Sequence, residues 1–310
     1  MPSWNDLISE LDSQPNDQEK TAWLNTKYLE TLRGISSRKN WRNVIYYASA
    51  FLQKPQAPAT NLQITHEEVN GFMAVMYGMD WSRDLTLLLH TPGGITNAAE
   101  SIVSYLWSKF DHIEIIIPTF AMSAGTMISL AANHIIMGRH SQLGPIDPLM
   151  PMPGRYVSAR AVVDQFERAR NEISGDRNLA HVWAPILQSL GPSLLQEAQN
   201  ALDYGERMVA EWLAQRMFKD KENPVSLANQ TAKHFNASEH KSHGRRIGRE
   251  EARDNDVIVY DLEDDQELQE YVLTAYHLTT IVFEKTPATK ILSSSTDRKW
   301  IKNWMSGQTR

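Results

Sequence analysis

The sequence predicts an α/β fold in which buried, mostly parallel strands alternate with covering helices. Three observations carry this expectation. The apolar runs at 85–89, 113–118 and 134–137 are nearly continuous, as in strands covered on both faces. Segments of helical spacing, 98–110 and 123–133, separate them. The first run ends in His90-Thr91-Pro92-Gly93-Gly94, a strand-to-helix turn.

In chain order, residues 1–40 are polar and rich in helix formers around a Gln14-Pro15-Asn16-Asp17 turn, and predict a helical lead-in. Val44-Ile45-Tyr46-Tyr47 is a β-type run followed by the proline-containing loop 54–58. Thr65 offers its hydroxyl as the cap of a helix that begins around Glu67-Glu68-Val69. The βαβαβ series follows. After Gly144-Pro145-Ile146-Asp147-Pro148 the character changes: residues 158–218 keep helical spacing, with breaks near Gly175 and at Gly191-Pro192, and predict a helical insertion packed on the sheet. A polar, His-rich stretch, 223–253, leads to a strand at 257–260 and a long amphipathic helix from Glu263 to about Phe283. The α/β domain is expected over 41–285, and 286–310 reads as a mildly basic C-terminal tail holding Trp300 and Trp304.

Composition narrows the chemistry. The chain has no cysteine, so thiol nucleophiles, disulfides and thiolate metal sites are all excluded, and any nucleophile is an oxygen or an amine. A formal net charge of −6 argues against a protein that binds phosphate backbones. The start, Met1-Pro2-Ser3-Trp4-Asn5-Asp6, lacks the basic and apolar regions of a signal peptide, and no apolar stretch approaches the ~18 residues of a membrane span. The expectation is a cytoplasmic protein with no nucleic-acid partner and no membrane span.

Two motifs point to acyl transfer. Ser123 lies in Ala121-Met122-Ser123-Ala124-Gly125-Thr126, where small neighbours leave its hydroxyl open at a strand-to-helix junction. Gly93 and Gly94 end a neighbouring strand with no side chains to block their N–H groups, as an oxyanion hole requires, and the N–H of Ala124 would be the second donor. The competing structural reading makes Ser123 a helix cap and the glycines a tight turn. A phosphate cradle is excluded, since the lysine and spacing of a P-loop are absent.

HTPGG at 90–94, AMSAGT at 121–126 and LGPIDP at 143–148 together resemble the serine dehydrogenase proteinase family, Clp-fold serine proteinases related to ClpP and signal peptide peptidase A. The likeness extends to Trp41-Arg42-Asn43-Val44-Ile45-Tyr46-Tyr47, Gly71-Phe72-Met73, Ser242-His243-Gly244-Arg245-Arg246-Ile247, Glu251-Ala252 and Asp261-Leu262-Glu263, roughly residues 40–290. The resemblance implies a ClpP/crotonase-like spiral of βα units with a helical insertion and a C-terminal helix. It implies a serine peptidase without cofactor that acts on a peptide or protein. It also implies a homo-oligomer assembled through the helical region, with any ATP-driven unfoldase a separate protein, because this chain holds no P-loop.

The activating base is not given by the family pattern. Signal peptide peptidase A uses a Ser-Lys dyad, yet no lysine lies between Lys109 and Lys219. At the ClpP spacing for histidine stands Asp147, and at the place of the ClpP aspartate stands His243. An exchange of the two roles gives Ser123 as nucleophile, His243 as general base and Asp147 as its orienting acid, since a triad is defined by geometry and not by chain order. A histidine base suits neutral pH, because imidazole titrates near ~6.5. The bland alternatives are a loop histidine beside His234 and His240, and a turn aspartate between prolines. His140 and Lys241 are secondary base candidates, and His90 reads as a structural residue beneath the site. No metal site is expected, because the histidine spacing is irregular and lacks an HExxH pattern. Two further readings stay open: a crotonase-type enzyme that holds an acyl-CoA thioester enolate, and an inactive scaffold or partner-binding subunit.

Overall fold

The computed structural model describes residues 3–152, 155–191, 193–237 and 240–305. Two helices lead, α1 (Trp4–Asp12) and α2 (Asp17–Arg38). Ser3 and Asp6 cap the first reciprocally, and the Asn16 side chain accepts from Glu19 N at the second. There follow β1 (Asn43–Ser49), α3 (Ala59–Leu62), α4 (Glu67–Met76), β2 (Leu85–His90), α5 (Thr96–Trp107), β3 (Ile113–Ile117), β4 (Phe120–Ala121), α6 (Ala124–Leu130), β5 (His134–Met137) and β6 (Gln142–Leu143). A second set comprises β7 (Leu149–Met152), β8 (Arg155–Ser158), α7 (Ala159–Gly175), α8 (Ala180–Gln188), α9 (Leu194–Gln215) and α10 (Pro224–Phe235). The chain ends with α11 (Arg249–Asp254), β9 (Val259–Asp261), α12 (Gln266–Lys285), β10 (Ala288–Ser294) and β11 (Lys299–Asn303).

The chain divides into two units, residues 1–143 with 247–310, and residues 144–246. The first is built on a sheet ordered β11-β10-β1-β2-β3-β5-β9. From β1 to β9 the pairing is parallel. Every residue of β1, β2 and β3 is buried, which is why these runs show no polar alternation. On one face Val44, Tyr46, Leu88, Ile116 and Ile136 pack with Leu32 and Ile35 of α2 and Val272, Ala275 and Leu278 of α12. On the other, Tyr47 stacks on Phe72 of α4.

The segment expected as a tail is different. Residues 288–294 and 299–303 form β10 and β11, a hairpin that extends the sheet antiparallel to β1. Its pattern hides because Lys290 is fully buried, paired with Glu68 at 2.5 Å. Residues 306–310 lie outside the described part.

The second unit holds the helical insertion, which is longer than the expected 158–218. The break near Gly175 is present, and Leu190-Gly191 ends the next helical segment; Pro192 lies outside the described residues. Its core is Met150, Ala159, Val162, Val163, Leu194, Ala198 and Leu202. The stretch read only as polar and His-rich contains α10, which starts with Pro224 and buries Ala228, Thr231, Ala232 and Phe235 on one face.

Candidate active site

Ser123 joins β4 to α6 with φ 51 and ψ −117, a rare conformation for a residue with a side chain. It occupies the cap position of α6, yet its side chain makes no capping hydrogen bond. The turn is held by others: Gly125 N donates to Met122 O at 2.7 Å, and the Thr126 hydroxyl donates to Ala121 O at 2.7 Å. Gly125 brings α6 against β2's end, since a Cβ there would lie 2.5 Å from Thr91 Cγ2. The hydroxyl of Ser123 is therefore free of the local role that would explain a serine there.

The glycine turn stands beside it. Gly93 has φ 96, and a Cβ on it would fall 2.6 Å from Ser123 Cβ and 3.1 Å from Ala124 N. Only glycine lets the turn approach so closely. Gly93 N–H donates to Thr91 Oγ1 at 3.1 Å, so it is already engaged. Ile64 clamps the turn, donating to Gly93 O at 2.8 Å and accepting from Ile95 N at 2.9 Å. These bonds use the peptide groups on either side of Gly94 and leave its own N–H aimed away from Ile64. Ala124 N–H belongs to the first helical turn and has no intrahelical acceptor.

A relay of buried groups holds that clamp. Glu68 accepts from Thr65 N at 2.6 Å and from Thr65 Oγ1 at 2.8 Å, and Lys290 donates to its other oxygen. Thr65 follows Ile64 directly, so β10 fixes the glycine turn through α4's first residues. Burial pushes the Lys290 amine below its ordinary pKa, and Glu68 opposes that fall. His90 lies where expected of a structural residue, 1% exposed, sharing a 2.7 Å hydrogen bond with Thr119 Oγ1 and packed between Phe51 and Tyr276. Burial depresses its pKa to about 3.

In the second unit, His243 Nδ1 and Asp147 Oδ1 are 2.9 Å apart. Asp147 is buried and His243 about four-fifths so, with 19% of its side chain exposed. With the proton on Nδ1 facing the carboxylate, Nε2 is the acceptor nitrogen. The other carboxylate oxygen accepts from Ser158 Oγ at 2.5 Å. A cavity of about 140 Å³ lies against the pair, walled also by Arg160, Asp164 and Lys241.

The secondary candidates are placed differently. His140 is exposed and its ring lies on Gly138. Lys241 is exposed at φ 58, without the burial an amine base needs. His240 is occupied, its Nε2 2.6 Å from His234 O and its Nδ1 2.9 Å from Arg245 Nη1. Among the described residues no group of three or more His, Cys, Asp or Glu is arranged for a metal ion, and no helix is long and apolar enough to cross a membrane. Sequence reasoning missed Ser158, Thr91 and the Glu68–Lys290 relay. Ser158 carries only a helix-cap signal, and a buried lysine in a strand reads as surface.

Residues 65–186 match the family model described as ClpP-like SDH-type serine proteinase. An uncharacterized protein of Methanocaldococcus jannaschii is 30% identical over 154 residues, 48% of this chain and 50% of that one. A second uncharacterized protein of the same organism is 36% identical over 92 residues, 30% of each chain. The chain thus spans half or less of the length of these curated relatives. A solved structure of a mutant of a membrane-bound stomatin-specific protease is similar at TM-score 0.42 and 18% identity, over 67% of this chain and 79% of that one. The segment 65–186, which contains the glycine turn, Ser123 and Asp147, carries the pattern of the ClpP-like SDH-type serine proteinases, the family that the sequence motifs resemble.

Proposed function

We propose that the protein is a serine peptidase in which Ser123 is the nucleophile, His243 the general base and Asp147 the acid that orients it. The observation that carries this reading is the uncapped hydroxyl of Ser123, held at φ 51 beside a glycine that nothing larger can replace. A serine strained into that position whose side chain makes no capping hydrogen bond favours a nucleophile over a cap. Ser123 Oγ attacks the substrate carbonyl carbon as His243 Nε2 takes its proton. The carbonyl oxygen becomes an oxyanion held by the N–H groups of Gly94 and Ala124. His243 then passes its proton to the leaving amine, and water releases the acyl group by the same steps.

The chain's connectivity supports the assignment. Leu143 pairs with Ala121 in the β4–β6 ladder and bridges to Ile247. Asp147 follows Leu143 by four residues and His243 precedes Ile247 by four, a reach of at most ~14 Å each.

The family is one of serine proteinases, and a protein substrate follows as part of the proposal, as does a homo-oligomer using exposed apolar residues of α8, Val182 and Ile186. A monomer in light scattering at micromolar concentration removes the oligomer. The main test is a fluorophosphonate probe followed by peptide mapping. The label is expected on Ser123, absent in Ser123→Ala, and slowed by ~10³-fold or more in His243→Ala. Unchanged labelling in His243→Ala refutes the base, and no labelling of the native protein refutes the peptidase in favour of a scaffold.

A further inference from the structure

Asp147 and Ser158 sit at the two feet of the β7–β8 hairpin. Leu149 pairs with Ser158 at its base, and Ala159 N donates to Pro148 O at 2.8 Å, so the backbone on both sides of the pair is locked. Across this base the Ser158 hydroxyl donates to Asp147 Oδ2 at 2.5 Å while Asp147 Oδ1 faces His243 Nδ1. The same oxygen of Ser158 accepts from Arg160 N at 3.1 Å and from Ala161 N at 3.4 Å, capping α7. A cap needs only the acceptor side of a hydroxyl. The donor side is spent on the carboxylate, which is more than capping requires.

We infer that Ser158 is a positioning residue: its hydroxyl fixes the rotamer of Asp147 and shares its charge, so that the remaining oxygen meets His243 in one orientation. The arrangement extends the pair into a chain, α7 N–H groups to Ser158, Ser158 to Asp147, Asp147 to His243. Each donor polarises the next, and a carboxylate held by two hydrogen bonds cannot rotate away from the imidazole. The inference rests on the reading of His243 as base and Asp147 as its partner. Other charged or titratable groups lining this place are Arg160 and Asp164 of α7, and His240 and Lys241 on the segment that leads to His243.

Three variants separate positioning from capping. Ser158→Thr keeps both functions of the hydroxyl. Ser158→Asp keeps a strong cap but has no donor and sets a second carboxylate against Asp147. Ser158→Ala loses both. The first measurement is the rate at which the fluorophosphonate labels Ser123 at pH 7. It is expected to fall about tenfold or more in Ser158→Ala and in Ser158→Asp, and to return to within a few fold of the native rate in Ser158→Thr. A merely structural cap would instead let Ser158→Asp label normally.

The second measurement is the pH titration of the His243 ring resonances, which needs no enzymatic activity. In Ser158→Ala the midpoint is expected to rise by about half a unit or more, because the Asp147 carboxylate no longer shares its charge with the hydroxyl, and to return to the native value in Ser158→Thr. A midpoint unchanged in Ser158→Ala, or native labelling in Ser158→Ala, overturns the inference. Should the native protein fail to label, the peptidase reading falls and the titration alone decides for or against Ser158.

Discussion

The surroundings of Ser123 and those of the His243–Asp147 pair are built on different principles. Around Ser123 the backbone does the positioning: two glycines, a residue at positive φ, main-chain bonds to Ile64 and a fully buried ion pair behind them. Around His243 the work is done by side chains at the foot of a hairpin, linked by hydrogen bonds from Ser158 to Asp147 and between Asp147 and His243. Backbone devices tolerate almost no substitution, since there is no rotamer to adjust. Side-chain devices depend on rotamers, and here the rotamer of Asp147 is held by Ser158 on one oxygen and His243 on the other.

The two regions differ most at the buried ion pair. Lys290→Met leaves Glu68 charged and uncompensated, and is expected to cost about 3–5 kcal/mol in urea unfolding. The double variant Lys290→Met with Glu68→Gln should recover most of that loss, because replacing both charges removes the stranded one. An ion pair of the insertion provides the contrast. Arg168 and Glu172 are 2.7 Å apart but exposed, and Arg168→Ala is expected to produce no measurable change in stability. Equal effects at the two places would end the distinction.

Next in size is the glycine turn. Gly93→Ala adds a methyl 2.6 Å from Ser123 Cβ at a φ of 96, so either the turn or the serine must move. The rate of Ser123 labelling should fall ~10²–10³-fold, comparable to loss of an oxyanion donor, while the ring titration of His243 stays as in the native protein. Gly78→Ala is the control, with φ 81 but nothing within 4 Å of the added methyl, and should leave labelling intact.

What was legible in the sequence follows the same division. The buried strands announce themselves as unbroken apolar runs, and Gly93 and Ser123 stand out because close backbone approach admits only small residues. The β10–β11 hairpin does not announce itself: Lys290 interrupts its apolar run, and only a partner more than two hundred residues earlier, Glu68, makes a lysine acceptable there. The helix α10 is masked by its polar face and by histidines whose hydrogen bonds are local. Asp147 and His243 were placed by family resemblance, since no periodicity relates residues 96 apart in the chain. Ser158 shows only its capping role in sequence, because the bond to Asp147 arises from hairpin closure.

The two regions also differ in how they meet protons. His90, beneath the glycine turn, is buried neutral, with a pKa near 3 against an ordinary value of 6.5. A depressed folded-state pKa means that the unfolded chain binds the proton more readily, so this stabilising contribution is complete above about pH 6.5 and is lost as pH falls toward 3. Between pH 7 and pH 5 the loss from His90 is about 2 kcal/mol. His112 and His277 act in the same direction through burial, whereas Glu114, held near 2 with His134 and Lys39 beside it, acts only below its ordinary value of 4.5. His90→Asn keeps a polar atom at the position of Nδ1 for Thr119 and cannot titrate in this range. Urea unfolding of that variant should show a lower stability at pH 7 but a pH 7-to-5 slope flatter by about 2 kcal/mol, with the His243 ring titration unmoved. A slope equal to that of the native protein would show that acid sensitivity of the fold resides elsewhere. A shift in His243 would show that the two regions are coupled, and that backbone and side-chain positioning in this protein are one device.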